Sequence, residues 1–214
     1  DLGGGPLALR MNTSAVPTLA LPVEPYAAAV PQTTCDPVPK PGAITFRAFV
    51  LTELGGRDLG IERPCAQGGA SEHKEGRAWD WGLNAGDPAE RAQAEGLLSW
   101  LLAPDATGEE HAMFRRAGLQ YMIWDHRIWS PRTRAWGPYG GESPHTDHVH
   151  FSFGWPGALG ETSLYAWLRG EAVPLVPRAR PAPARPSLWP AALVALAGGA
   201  LGWYAVRWTR AVMR

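Results

Sequence analysis

The residues of this chain that could carry out chemistry lie in two short clusters. The first, Ser71–Asp80, reads SEHKEGRAWD, the second, His145–His150, reads HTDHVH, and together they hold four of the six histidines. Imidazole and carboxylate groups bind zinc, and a catalytic zinc site takes three ligands from the protein and leaves a fourth position to water. His73, Asp80 and His150 meet this requirement, so the sequence predicts a split zinc site.

Strand patterns favour these ligands. Residues 77–81 read as a short strand that directs Ala78 and Asp80 to one face. Residues 147–153 alternate too, and their polar face carries His148, His150 and Ser152. The two imidazoles then lie about 7 Å apart, so one can bind metal while the other acts on water or substrate. The opposite faces carry Arg77, Trp79 and Trp81 in the first strand and Val149, Phe151 and Phe153 in the second.

The first cluster matches the pattern Ser-x-His-x-x-Gly-x-Ala-x-Asp, and the second contains His-x-His. Together they resemble the zinc D-Ala-D-Ala carboxypeptidases and the LAS-type murein endopeptidases, which share a fold with the Hedgehog signalling domain. The resemblance implies that His73, Asp80 and His150 bind zinc and that His148 and His145 are catalytic-site residues. The fixed positions of the first motif are all present, as Ser71, His73, Gly76, Ala78 and Asp80.

The chain also resembles an actinobacterial, membrane-anchored extracellular branch of this superfamily. The matching segments are GRAWDW at 76–81, Tyr121 to Trp124, and HTDHVHFSF at 145–153. The likeness extends from about Cys35 to Leu168. It implies a peptidase domain that lies outside the cell.

Two residues are candidates for the group that transfers the proton during catalysis. Many carboxypeptidases of the family place a Glu three residues before the last ligand, where this chain has Asp147. Asp is one methylene shorter, and strand alternation sends it to the face opposite His148. We therefore expect His148, with an ordinary pKa near ~6.5, to move the proton. Asp147 is the alternative, either as the base or as a group that orients an imidazole.

Two residues of the first cluster are predicted to bind substrate. Arg77 could meet a substrate carboxylate by a bidentate contact, or it could be a surface charge. Ser71 could contact substrate or simply begin a turn. His111 and His126, outside both clusters, are interpreted as structural or solvated residues.

Composition narrows the classes of function. Lys plus Arg and Asp plus Glu number 20 each, which leaves no basic field for a nucleic-acid partner. Eleven tryptophans are many for this length, and those in strand-like segments indicate a core rather than a sugar-binding or peptide-binding groove.

Only Cys35 and Cys65 carry thiols, and neither belongs to a Cys-x-x-Cys pattern. They flank the first predicted helix, which favours a disulfide over two buried free thiols. Such a bridge would stabilise the domain by about 3 to 4 kcal/mol. It also favours an oxidising, extracytoplasmic setting.

The C-terminal part predicts a membrane anchor. Leu188 to Val206 is an uncharged run, about 28 Å long as a helix, which matches a hydrocarbon core of ~30 Å. Three arginines lie on each side of this run, so the rule that basic residues face the cytoplasm does not decide the orientation of the helix. The predicted disulfide and the family resemblance place the large domain outside. A Gly198–Gly202 GxxxG pattern is a weak indication of helix pairing.

The predicted organisation is a disordered segment at 1–33, a zinc peptidase-like domain at 34–170, a Pro/Arg-rich stalk at 171–187, the membrane helix at 188–206 and a basic cytoplasmic tail at 207–214. The domain is predicted to be α+β, a small antiparallel sheet with flanking helices. The helices are predicted at 41–54, 88–102, 109–117 and 163–169, and further strands at 119–124 and 127–129.

The expected function is zinc-dependent cleavage of peptidoglycan stem peptides or cross-bridges at the cell surface. The substrate class follows from the resemblance and the anchor, because residue chemistry alone indicates only metal-assisted hydrolysis. The alternative is a zinc-stabilised module that binds wall peptides without cutting them.

Overall fold

An open antiparallel sheet of six strands runs through the region described by the structure, a computed structural model that covers residues 23–171. The strand order is β1-β2-β6-β3-β4-β5, so the last strand of the described region lies between β2 and β3. This insertion brings the two sequence clusters together. The strands are β1 Arg57–Asp58, β2 Ala78–Gly82, β3 Leu119–Trp124, β4 Arg127–Trp129, β5 Trp136–Pro138 and β6 His148–Phe153.

Five α-helices and one 3₁₀ helix accompany the sheet in the described region, and the predicted α+β class is confirmed. The helix α2 begins where the sequence predicts, because the Asp87 side chain accepts hydrogen bonds from the amides of Ala89 and Glu90 at 2.8 and 3.0 Å. The helices are α1 Pro41–Leu54, the 3₁₀ helix Glu72–Glu75, α2 Pro88–Leu102, α3 Ala112–Arg116, α4 Trp155–Ala158 and α5 Ser163–Leu168.

The bounds of α1, α2, β3 and β4 agree with the sequence, whereas α3 is shorter than predicted. His111 has a φ of 53°, in the left-handed region, so the helix cannot extend back to Glu109. The strands β1 and β5 were not predicted, because two or three residues are too short to show an alternating pattern.

The core lies between one face of the sheet and the helices α1 and α2. Phe46 of α1 packs its ring against Phe151 at 5.2 Å and Phe153 at 5.4 Å between centroids. Trp79 and Trp81 of β2 are fully buried on the same face, as their position in the alternation predicts. Their side chains therefore hold β2 while Asp80 faces the other way.

Part of the N-terminal segment that was predicted to be disordered is ordered. Residues 23–33 form no helix or strand, which explains the lack of sequence periodicity, but they contact the domain. The amide of Val30 donates to Gln120 Oε1 at 3.0 Å, and the amide of Thr33 donates to Glu75 Oε1 at 3.0 Å. The prediction of disorder is therefore wrong for these residues.

The predicted disulfide is confirmed: Cys35 and Cys65 are bridged, with their Cα atoms 5.9 Å apart. The stalk, the Leu188–Val206 span, the basic tail and the first 22 residues lie outside the described region, apart from residue 171 at the start of the stalk. Among residues 23–171, no helix combines the length and apolar character needed to cross a membrane.

Candidate metal centre

The pairing of β2 with β6 places Asp80 directly opposite His150. Asp80 Oδ1 lies 2.8 Å from His150 Nδ1. His73, carried by the 3₁₀ helix, brings its Nε2 to within 3.2 Å of Asp80 Oδ2 and 3.3 Å of His150 Nδ1. One ligand atom from each residue falls in a group whose members all lie within 4.8 Å of one another, so the three side chains could hold a metal ion.

The spacing suits a tetrahedral zinc ion. With metal–ligand bonds of about 2.0 to 2.1 Å, neighbouring ligand atoms of a tetrahedron lie about 3.3 to 3.4 Å apart. The His73–His150 distance of 3.3 Å and the His73–Asp80 distance of 3.2 Å match this edge. The Asp80–His150 distance, 2.8 Å, is shorter and involves the other carboxylate oxygen.

The types of the donor groups fit a cation as well. His73 Nδ1 lies 2.8 Å from the carbonyl oxygen of Ile61, to which it can only donate, so this contact orients the ring and turns Nε2 toward Asp80. Burial alone would raise the pKa of Asp80, but hydrogen bonds and charge from His150 and His73 outweigh it and hold the pKa well below its usual value. Burial lowers the pKa of His150. An ionised carboxylate and two imidazoles therefore converge, and a divalent cation suits this donor set.

The 3₁₀ helix that carries His73 depends on Gly76, which follows it. Gly76 has a φ of 64°, and a Cβ there would come within 2.0 Å of the carbonyl oxygen of Val38. Only glycine combines this left-handed conformation with such close backbone contact. The Gly of the sequence motif therefore has a structural reason: it allows the chain to turn from His73 into β2.

His148 and Asp147 form a hydrogen-bonded pair at the edge of the centre. His148 Nδ1 lies 2.7 Å from Asp147 Oδ1, and His148 Nε2 lies 3.7 Å from Asp80 Oδ1. The expectation that Asp147 points away from His148 is wrong, because β6 begins only at His148 and strand alternation does not apply before it. Asp147 is largely exposed and can hold the Nδ1–H tautomer, which leaves Nε2 of His148 facing the metal ligands.

His145 lies beside the same ligands. Its ring centroid is 4.6 Å from that of His148 and 5.8 Å from that of His150. Its Nδ1 donates to the carbonyl oxygen of Ser143 at 2.7 Å, which again leaves Nε2 with a lone pair. Burial, followed by the charge of His150 and of His148, lowers the pKa of His145 to about 4, so the ring is neutral at pH 7.

Arg77 does not lie at the surface, and its nitrogen atoms already have partners. It is fully buried, and it donates to Glu75 Oε2 at 2.7 Å, to the carbonyl oxygen of Phe153 at 2.9 Å and to that of Val30 at 2.7 Å. The interpretation of Arg77 as a surface charge is therefore wrong. Its guanidinium fastens the 3₁₀ helix to β6 and to the N-terminal segment, and these contacts give no support to a role in substrate binding.

Ser71 occupies the position directly before the 3₁₀ helix and has an extended backbone. Its side chain makes no hydrogen bond to the helix. Its amide donates to Gln32 Oε1 at 2.7 Å. The structure thus supports the interpretation of Ser71 as the beginning of a turn.

Two residues next to the ligands were not singled out from the sequence. Tyr121 of β3 stacks on His150, with ring centroids 5.5 Å apart and an angle of 18°, and its hydroxyl donates to Glu72 Oε2 at 2.6 Å. Burial, and secondarily Glu72, raises the pKa of Tyr121, so the hydroxyl stays protonated. The available signals were the position of Glu72 directly before His73 and the predicted strand that contains Tyr121.

The remaining histidines are not members of the candidate ligand group. His111 Nδ1 is 2.7 Å from the Tyr26 hydroxyl, and its ring packs against Trp129 at 4.9 Å, so the structural interpretation is confirmed. His126 lies in the turn between β3 and β4 and has a φ of 63°.

The model of one protein family, described as VldE, C-terminal domain, matches residues 35–150 of this chain. The matched region begins at Cys35 and ends at His150, and it contains every candidate metal ligand. No curated protein and no solved structure matches the chain. Because the matched region is more than half of the 214 residues, the chain belongs to the VldE C-terminal domain family.

Proposed function

We propose that this chain is a zinc-dependent peptidase that acts on peptidoglycan peptides at the cell surface. The observation that carries the proposal is the convergence of His73, Asp80 and His150, whose ligand atoms lie within 4.8 Å of one another, with two further histidines beside them. The chemistry that zinc supplies in such a site is Lewis-acid polarisation of a carbonyl and acidification of a water molecule at the open position.

The residues around the ligands have separate roles. His148 accepts a proton through Nε2, which faces the metal ligands, while Asp147 holds its Nδ1–H. The pairing follows the general logic of a base oriented by a carboxylate. His145, neutral and with a free Nε2 lone pair, accepts a hydrogen bond or a proton on the same side of the site.

The substrate class rests on the resemblance of the two motifs to the zinc D-Ala-D-Ala carboxypeptidases and LAS murein endopeptidases. The disulfide supports an extracytoplasmic domain, and the Leu188–Val206 run supports a single-pass anchor in the cell membrane.

Between the two kinds of peptidase, the contacts of Arg77 favour the endopeptidase. A carboxypeptidase gains a strong, charge-assisted contact when a cation binds the terminal carboxylate of its substrate. Arg77 was the predicted cation, and its guanidinium is buried against Glu75 and two backbone carbonyls. An endopeptidase that cleaves within a cross-bridge has no terminal carboxylate to bind at this position.

The test uses the full chain and purified sacculi, with zinc or with a chelator, and measures the release of soluble muropeptides. We expect zinc-dependent release, and release that is equal in chelator would refute the proposal. His73→Ala should lose both bound zinc and release. His148→Ala should keep one zinc per chain and lose release. If the wild-type chain binds zinc and wall peptides but releases nothing, the domain is a binding module instead.

A further inference from the structure

The imidazole of His150 lacks the hydrogen bond that usually orients a metal-binding histidine. Such a ligand normally donates its other ring N–H to a carbonyl or carboxylate. His73 follows this rule through Ile61. His150 does not, because its Nε2 is buried and has no hydrogen-bond partner among the described residues. Packing must therefore fix the ring.

The ring that packs flat against His150 belongs to Tyr121. In the β3–β6 ladder, Ile123 lies opposite His150 and Tyr121 lies opposite Ser152, so Tyr121 is the diagonal neighbour of His150 on the same face. An aromatic side chain reaches across this diagonal distance. The two rings are nearly parallel, at an angle of 18°, so Tyr121 packs against one face of the imidazole and limits its rotation.

Tyr121 is itself tethered to the element that carries the other imidazole. Its hydroxyl donates to Glu72 Oε2 at 2.6 Å, and Glu72 directly precedes His73 in the 3₁₀ helix. The second carboxylate oxygen, Oε1, lies 3.9 Å from the buried guanidinium of Arg77. Glu72 is thus a buried carboxylate whose position is fixed from two sides.

We propose that Tyr121 and Glu72 form a positioning pair that sets His150 and His73 at metal-binding distance from each other. The inference rests on the metal site of the proposed function, and it concerns metal affinity rather than turnover. The pair closes a ring of contacts that runs from His150 through Tyr121 and Glu72 to His73. Outer groups that hydrogen-bond metal ligands typically contribute 10-fold to 100-fold in metal affinity, and this range sets the scale expected for the pair.

The test measures the zinc affinity of the full chain by competition with a chromophoric chelator, without substrate. Tyr121→Phe keeps the ring and removes the tether, and we expect zinc to bind about 10-fold more weakly. Glu72→Gln should weaken binding in the same direction but less, because the amide oxygen still accepts the Tyr121 hydrogen bond. The matched control is Tyr165→Phe in α5. It removes a buried hydroxyl that donates to the carbonyl oxygen of Ala117 at 3.0 Å.

The control separates positioning from general loss of stability. Thermal unfolding of each metal-free chain gives its stability, and Tyr165→Phe should lower that stability without changing zinc affinity. Wild-type affinity in both Tyr121→Phe and Glu72→Gln overturns the inference, and so does an equal loss in Tyr165→Phe. If Tyr121→Phe does not fold, the affinity of Glu72→Gln decides. A wild-type chain that binds no zinc refutes the proposed function itself, which is a distinguishable result.

Discussion

The orientation of His148 depends on one exposed carboxylate. Asp147 Oδ1 lies 2.7 Å from His148 Nδ1, so it selects the tautomer whose Nε2 can accept a proton. The sequence left open whether Asp147 or His148 is the base. Their hydrogen bond supports the interpretation in which Asp147 orients His148.

If the proposed peptidase function holds, Asp147→Asn should lower turnover of peptidoglycan about 10-fold to 100-fold while zinc affinity stays at the wild-type value. The physical reason is that an amide can present its NH₂ group to Nδ1 and so stabilise the wrong tautomer. Turnover is measured by muropeptide release, and zinc affinity by chelator competition. Unchanged turnover in Asp147→Asn would show that the carboxylate has no part in positioning His148.

Among the elements, β6 decides the geometry of the site. It comes last among the strands that the structure describes, yet it lies between β2 and β3. Asp80 therefore faces His150 across one ladder, and Tyr121 lies near His150 across the other. The helices contribute by burying the opposite face of the same strands.

The contribution of one helix cap to stability can be measured at the start of α2. Asp87 accepts two backbone N–H bonds there, from Ala89 and Glu90. We expect Asp87→Ala to lower the free energy of unfolding by about 1 kcal/mol, as measured by urea denaturation. Asp87→Asn, which retains a capping oxygen, is the matched control and should lose little. Equal losses in the two variants would mean that the cap does not contribute through this oxygen.

Asp105, in the loop between α2 and α3, should make the stability of the domain depend on pH. Burial alone would raise the pKa of Asp105, but hydrogen bonds from Thr107, Arg116 and Glu109 outweigh it and lower the pKa to about 2. The unfolded value is about 3.9. The ionised carboxylate therefore stabilises the fold above about pH 4, and this contribution disappears as the pH falls towards 2.

Asp105→Asn tests this dependence. The variant should be less stable than the wild type at pH 6, and the difference in free energy of unfolding should shrink steadily between about pH 4 and pH 2. Urea denaturation at a series of pH values gives the difference. A difference that stays constant over this range would contradict the lowered pKa of Asp105.

At the level of the whole domain, the disulfide closes a loop that supports the candidate metal centre. Cys35 and Cys65 are 30 residues apart, and the loop includes Ile61, whose carbonyl oxygen orients His73. At the other end of the same loop, next to Cys35, the amide of Asp36 donates to the carbonyl oxygen of Lys74 at 2.8 Å. The bridge thus joins two segments that contact the 3₁₀ helix.

Replacing both Cys35 and Cys65 with Ser should lower the free energy of unfolding by about 3 kcal/mol, because the unfolded chain gains conformational freedom. Urea denaturation with and without a reducing agent measures the effect. The wild type in reducing agent should match the double variant, and the double variant should not respond to reduction. A wild type that keeps its stability in reducing agent would refute this contribution.

The sequence by itself determined the ligand types, the disulfide partners and the bounds of α1, α2, β3 and β4. These features follow from local chemistry: caps, alternation and the small number of cysteines and histidines. Helix and strand patterns are set within a few residues, so they can be interpreted without knowing what packs against them.

The tertiary structure decided the remaining features. Arg77 is buried among Glu75 and two distant carbonyl groups, although its neighbours in the sequence give no sign of them. Tyr121 stacks on His150 only because β6 is inserted beside β3. Residues 23–33 are ordered by contacts with Gln120 and Glu75 rather than by their own pattern. Such contacts join residues far apart in the chain, and their energies depend on strand order, which no local pattern encodes.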